Sequence, residues 1–228
     1  MTTSASPRVS DHHDPVADTT TDATSEFDRQ LATIRSLGYA DIAGISEQVL
    51  TEAADALRAE VVTRVGSTVV TATPARAAFV LVVPATLVPA ARSMLLTSLR
   101  GRSGFVSRDT SDIARFTPIP GLDIPPRTIY ALLDVRRGEE FCNVRPKDAL
   151  VSIHEADRSP LTYDEGIALL THHPETLEKN KRFSLSGSRC GDKRVPALWI
   201  SDRRPKLGWC WDGNPHTWLG SAHTGSRC

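Results

Sequence analysis

Every tryptophan of this 228-residue chain falls near its C-terminus, at Trp199, Trp209, Trp211 and Trp218. Three of the four cysteines (Cys190, Cys210, Cys228) share that region, with His216 and His223. The run Lys206-Leu207-Gly208-Trp209-Cys210-Trp211 is a predicted strand. On a strand, side chains two apart share a face, so Trp209 and Trp211 point together and Cys210 points away. Asp212-Gly213-Asn214-Pro215 is a strong turn signal. Residues 183–186 and 195–201 are also predicted strands, residues 202–205 a turn, and residues 217–221 a fourth strand. Together they predict a small antiparallel meander. A buried indole removes roughly 150–250 Å² from water. At about 25 cal/mol per Å² that is on the order of 4–6 kcal/mol gross, so core packing is a sufficient reason for these residues. The other reading is a binding face, where indoles supply contact area together with a polar N–H.

Upstream, the pattern is helical, then mixed. Residues 1–25 are rich in Thr, Ser, Asp and Ala; they bury too little apolar surface to offset ordering entropy, so a disordered tail is expected. His12 and His13 lie in it and carry no motif. Phe27, Leu31, Ile34 and Leu37 form one helical stripe over residues 26–37, with Gly38 placed as a C-cap. Ser46 caps a second predicted helix reaching about residue 63, and Gly66 ends it. Residues 69–72 and 78–83 are predicted strands, the second buried on both faces. A helix is expected over 87–99. The Arg100-Gly101-Arg102-Ser103-Gly104 loop that follows has phosphate-binding residue types but follows a helix, unlike the standard phosphate loops; a cationic helix C-terminus is the simpler reading. Residues 105–127 are irregular and proline-rich, and long unstructured loops often serve function. Residues 128–135 are a strand, and Pro146 opens a helix. Thr162 and Glu165 have capping-box spacing for a helix ending at His172-His173, where protonated histidine is favoured.

The expected organisation is a tail over 1–25, a helical part over 26–66, a mixed α/β core over 67–180 and a β-rich Trp/Cys segment over 181–228. The last three form one globular domain. The fold class is α+β: a helical N-terminal part, a mixed α/β middle and a C-terminal antiparallel Trp-rich β-meander.

Lys+Arg and Asp+Glu are equal at 27 each, giving no general pull toward nucleic acid or an anionic membrane. The most apolar stretch, residues 77–99, is interrupted by Pro84, Pro89 and Arg92, so no membrane span is expected. The N-terminus shows no secretory pattern. The sequence therefore points to a cytoplasmic protein whose cysteines are thiols or metal ligands.

Three constellations in the C-terminal segment bear on chemistry. Cys190, Cys210, His216 and Cys228, with His223, are zinc-ligand types, but no Cys-x-x-Cys spacing organises them. Cys210 with His216 and Asp212 has the makings of a nucleophile, base and orienting carboxylate, although an apolar strand face raises a thiol pKa. Indoles beside Lys193, Arg194, Arg203, Arg204 and Lys206 resemble a single-strand stacking platform, against which the neutral whole chain argues.

The runs Arg194-Val195-Pro196-Ala197-Leu198-Trp199-Ile200 and Pro205-Lys206-Leu207-Gly208-Trp209-Cys210-Trp211, with Gly213-Asn214-Pro215-His216-Thr217-Trp218-Leu219-Gly220, resemble the C-terminal signature of a bacterial family known only as a domain of unknown function. Ser159-Pro160-Leu161-Thr162 with Asp164-Glu165-Gly166 is similar to the same family. The resemblance covers residues 27 to 228 and implies no activity, cofactor or catalytic residue.

The residues therefore point first to a cytoplasmic binding protein. Its pocket would lie between the 102–127 loop and the Trp-rich segment and hold a small anionic molecule or a peptide. Trp209 and Trp211 would supply contact area, Asn214 and His216 orientation, and Arg189 and Arg108 the anion contact. An enzyme using His216 with Cys210 or Asp212 is the alternative, and a nucleic-acid-associated or structural interaction protein the second. No cofactor motif is evident, nucleic acid and membrane are disfavoured as partners, and the sequence carries no signal of oligomeric state.

Overall fold

The computed structural model describes residues 19–228. Expectations for residues 1–18, His12 and His13 among them, lie outside the described residues. The expected tail boundary at residue 25 moves toward the N-terminus. Thr20–Asp22 is a strand paired antiparallel with Thr68–Val70. Asp22 caps helix α1 (Ala23–Ser36), its carboxylate accepting the Ser25 N–H at 2.8 Å. Backbone pairing anchors this short polar stretch, and composition does not register backbone pairing.

Phe27, Leu31 and Ile34 form the buried stripe of α1. Gly38 then takes φ +71°, a backbone that L side chains disfavour. The chain turns through α2 (Tyr39–Ala43) into α3 (Glu47–Val65), whose N-cap Ser46 accepts the Val49 N–H and whose end is marked by Gly66.

These three helices cover one face of a sheet centred on Tyr130–Arg136. Arg76–Val82 pairs with that strand antiparallel on one side; Ser226–Arg227 and His223–Thr224 pair on the other. Alternation along the central strands divides the core. Phe79, Leu81, Ala131 and Leu133 pack toward α1 and α3. Val80, Val82, Tyr130 and Leu132 pack toward a second cluster with α4 (Ala90–Leu96), α6 (Tyr163–His172) and Phe183, Leu185, Leu198 and Leu207 of the C-terminal sheet. The C-terminal segment thus shares a core with the middle of the chain.

The helix expected over 87–99 is shorter. Pro89 occupies its N-cap, because proline suits a first turn but breaks an interior. Beyond it, Ser98–Leu99 and Arg102–Ser103 form a hairpin with Arg100 and Gly101 both at positive φ. The basic loop is therefore a two-residue hairpin turn of the twist-compatible kind. Helix α5 (Pro146–Glu155) carries proline at its start, and both reciprocal bonds of the Thr162/Glu165 capping box are present on α6.

The C-terminal sheet departs from a meander. Its order is Leu219–Ser221, Arg182–Ser184, Arg194–Ser201, Arg204–Trp211, Phe105–Val106. The central hairpin turns at Asp202-Arg203, both at positive φ. Residues 212–218 then carry the chain to the far edge, where Leu219–Ser221 lies parallel to Arg182–Ser184. Phe105–Val106 adds in parallel at the opposite edge. Among the described residues no helix is long and apolar enough to cross a membrane.

His172 corrects the expectation of a protonated helix terminus. Its ring is buried, and Nε2 lies 3.0 Å from the Leu81 carbonyl, which requires Nε2 to donate. Burial, reinforced by His173, pushes its pKa down to about 3, so desolvation outweighs the helix dipole. The unfolded chain takes up a proton near pH 6.5 that the folded chain refuses. This group therefore costs no stability above pH 6.5 and removes roughly 1 kcal/mol per pH unit as pH falls from there toward 3. His172→Gln keeps a donor for Leu81. Urea unfolding between pH 7 and 4 is expected to show a slope smaller by about one proton in this variant; an unchanged slope would mean that His172 is protonated in the fold.

Candidate functional site

The back of the central hairpin carries a run of aromatic rings and cations. Phe183 faces Leu198 across the sheet, which places Arg182 beside Trp199, and Trp199 faces Lys206. The Arg182 guanidinium carbon lies 5.4 Å from the Trp199 ring centre on one side and 4.4 Å from that of Trp218 on the other. Lys206 Nζ lies 5.2 Å from the ring centre of Trp199. Trp218 stacks on His216 at 4.2 Å with the ring planes 9° apart. Cations and rings thus alternate in a ladder: Lys206, Trp199, Arg182, Trp218, His216.

Gly208 makes this possible. A Cβ there would overlap the six-membered ring of Trp199, so the indole lies flat on the strand only because residue 208 has no side chain. Gly208→Ala is expected to displace Trp199 and to cost about 1–3 kcal/mol. A crystal structure of the variant, with a denaturation curve, checks both parts.

Four members of the ladder, Trp199, Arg182, Trp218 and His216, line a cavity of about 250 Å³ bordered also by Trp209, Cys210, Trp211 and Asn214. The loop that closes it is pinned through its backbone: Asn143 N–H donates to the His216 carbonyl at 2.7 Å, Lys147 N–H to that of Asp212 at 3.1 Å, and Arg182 N–H to that of Trp218 at 2.8 Å. No carboxylate lines the cavity among the described residues. Burial pulls the Arg182 guanidinium below its ordinary value, and burial and Arg182 together lower His216. Desolvation is the cause at Arg182 and the larger cause at His216, where the neighbouring guanidinium adds to it.

Four of the six sequence-selected residues, Trp209, Trp211, Asn214 and His216, therefore border one cavity. The two arginines do not. Arg189 spends its guanidinium on the carbonyls of Ser186 and Ser188, and Arg108 is exposed on a short 3-10 turn. Arg182 is the arginine that lines this cavity. Sequence reasoning missed it because its role depends on strand register, which brings it beside Trp199 and under Trp218.

The 102–127 loop and the Trp-rich segment meet in direct contact. Trp209 Nε1 donates to the Asp109 carbonyl at 3.0 Å. Arg194 is bidentate on Asp112 at 3.0 and 2.8 Å and lies over Phe116. Ser188–Arg189 pairs with Thr117–Pro118. The aromatic cavity opens on the opposite side of the sheet from this seam, with Trp209 and Trp211 at its rim, 4.7 Å apart and edge to face.

The zinc set falls apart in space, and Cys210 and His216 share the aromatic cavity with no hydrogen bond between them among the described residues. Cys228 is buried in the core beneath α1 and α3, whereas Cys190 bonds Asp192 and Cys210 borders the aromatic cavity. Among the described residues no three His, Cys, Asp or Glu side chains are grouped to hold a metal. No hydrogen bond joins His216 to Cys210 or Asp212 among the described residues. Burial pushes the Cys210 thiol up to about 12, which leaves on the order of one thiolate in ten thousand at pH 8. Cys210 is expected to resist a disulfide reagent at pH 8 in the folded protein, while all four thiols react in denaturant. Rapid native labelling at Cys210, located by mass spectrometry, would establish an activated thiol instead.

Fold and site together define an α+β protein with an aromatic, cation-lined pocket built across strands of its C-terminal sheet. The chain belongs to the Family of unknown function (DUF5701), which it matches over residues 33–228. Comparison with curated proteins and with solved structures gave no match.

Proposed function

We propose that this chain binds a small planar anion in the pocket formed by Arg182, Trp199, His216 and Trp218. The observation that carries the reading is Arg182: a half-buried guanidinium held between two indoles, with no carboxylate within ion-pair distance among the described residues. A guanidinium offers a fork of donors suited to carboxylate or phosphate. Its faces are occupied by rings, so its edge is what remains for a ligand. Lys206 is not part of the cavity lining, but its ammonium lies over the Trp199 ring and adds positive charge beside the pocket. A volume of about 250 Å³ falls just below the usual small-molecule range of roughly 300–1,000 Å³, which favours a compact molecule over a peptide. The backbone bonds that pin residues 212–218 mean that little ordering is needed on binding. A cytoplasmic setting accords with the four free thiols.

The test uses tryptophan fluorescence with benzoate, phenyl phosphate, benzyl alcohol and benzylammonium. The anions are expected to quench with Kd on the order of 10 μM to 1 mM, and the alcohol and the ammonium at least tenfold more weakly. Equal affinities, or no saturable quenching by either anion, would overturn the reading.

A further inference from the structure

A larger groove lies elsewhere, at the N-terminal end of α6. It has a volume of about 830 Å³, within the usual range for small-molecule sites. One wall is the 84–91 segment and the other is residues 111–128. Leu87, Pro89, Ile113, Phe116, Pro118 and Ile124 make both walls apolar. Two polar side chains reach it from the start of α6. Tyr163 is only 9% exposed, and its hydroxyl has no hydrogen-bond partner among the described residues. Asp164 accepts the Ala85 N–H at 3.1 Å and the Thr162 hydroxyl.

The local charge does not balance. Asp164 and Glu165 are adjacent, and the nearby guanidinium of Arg227 is bidentate on Glu165, at 2.6 and 2.8 Å. No cation lies within ion-pair distance of Asp164 among the described residues. Among the described residues Arg127 is the one cation lining the groove, and it is turned to Glu60 at 2.7 Å. Burial and the charge of Glu165 both push the Asp164 carboxyl above its ordinary range. The first turn of α6 and the Ala85 amide steady a carboxylate there, but neither supplies a counter-charge.

We infer that this groove is a second binding site, for a hydrophobic ammonium whose charged head sits between the Asp164 carboxylate and the Tyr163 hydroxyl. An ammonium has three donors and no acceptor. It can satisfy the carboxylate and the unpartnered phenol oxygen together, while its apolar body covers the proline and isoleucine walls. A free carboxylate would be repelled by Asp164, and an alcohol would leave its charge uncompensated. The inference is independent of the aromatic pocket, which selects the opposite charge and a planar body.

The experiment is calorimetric titration of the full chain with octylammonium, octan-1-ol and octanoate, which lack the planar group that the aromatic pocket selects. Octylammonium is expected to bind at least tenfold more tightly than the other two. Asp164→Asn keeps the shape and an acceptor and is expected to erase that preference. Ala114→Trp fills the groove from an exposed wall position and is expected to abolish binding whether or not the Asn variant folds. Equal affinities across the series, no binding of octylammonium, a preference that survives Asp164→Asn, or tight binding retained in Ala114→Trp would each overturn the inference.

Discussion

Arg227→Ala is expected to destabilise the fold by about 3–5 kcal/mol, the usual cost of removing one partner from a buried ion pair. The penultimate side chain of the sequence enters the interior. Arg227 is bidentate on Glu165, whose side chain is wholly buried, and it also donates to the Ser159 hydroxyl and the Pro160 carbonyl. Glu165 in turn accepts the Thr162 N–H at 2.8 Å and the Tyr130 hydroxyl at 3.1 Å. Removing the guanidinium leaves this carboxylate buried with hydrogen bonds but no positive charge. It also loosens the Ser226–Arg227 strand from Tyr130–Arg136. For a chain of this size the melting temperature should fall by roughly 10 °C. The pair itself need not favour folding over an apolar pair of the same shape. The double variant Glu165→Gln with Arg227→Met is therefore expected to recover part of the loss. Urea denaturation of both variants checks this, and a loss below about 1 kcal/mol in Arg227→Ala would show that water reaches the carboxylate.

The second large effect is on binding. Arg182→Gln should weaken benzoate and phenyl phosphate by roughly 10- to 100-fold, because a hydrogen bond to a charged group is worth about 1.5–3 kcal/mol. Glutamine keeps a planar amide to lie between Trp199 and Trp218, so the fold and the tryptophan emission of the free protein should change little. Arg189→Gln is the informative control. Its guanidinium is engaged by the carbonyls of Ser186 and Ser188, and anion affinity should stay within about twofold of the parent. A similar loss in both variants would point to a general charge effect on the pocket.

Much of the fold was legible because its signals are local. Ser46 and the Thr162/Glu165 pair cap helices where their spacing predicts, since a cap is made within four residues of itself. The alternation at Trp209 and Trp211 placed both rings together, and they meet edge to face. The strand read as buried on both faces is so, with Phe79 and Leu81 in one core and Val80 and Val82 in the other. Three readings failed for non-local reasons. Thr20–Asp22 is ordered by a partner strand some fifty residues away. His172 loses its proton because α6 ends against the Leu81 strand rather than in water. The meander gave way to a mixed sheet because residues 212–218 cross to the far edge.

Sequence by itself determined which residue types are available to the pocket: four indoles, His216, Asn214 and an excess of arginine near them. It also determined the strand periodicity that presents them. Which arginine faces the ligand was decided by tertiary structure alone. Residues 182 and 199 are neighbours through antiparallel register, and 182 and 219 through a parallel pairing. Only their sum sets the Arg182 guanidinium between Trp199 and Trp218. Register between strands is fixed by which side chains fill the core on the other face, here Phe183, Leu198 and Leu207. That is a property of the folded whole, and the linear chain carries no short-range mark of it.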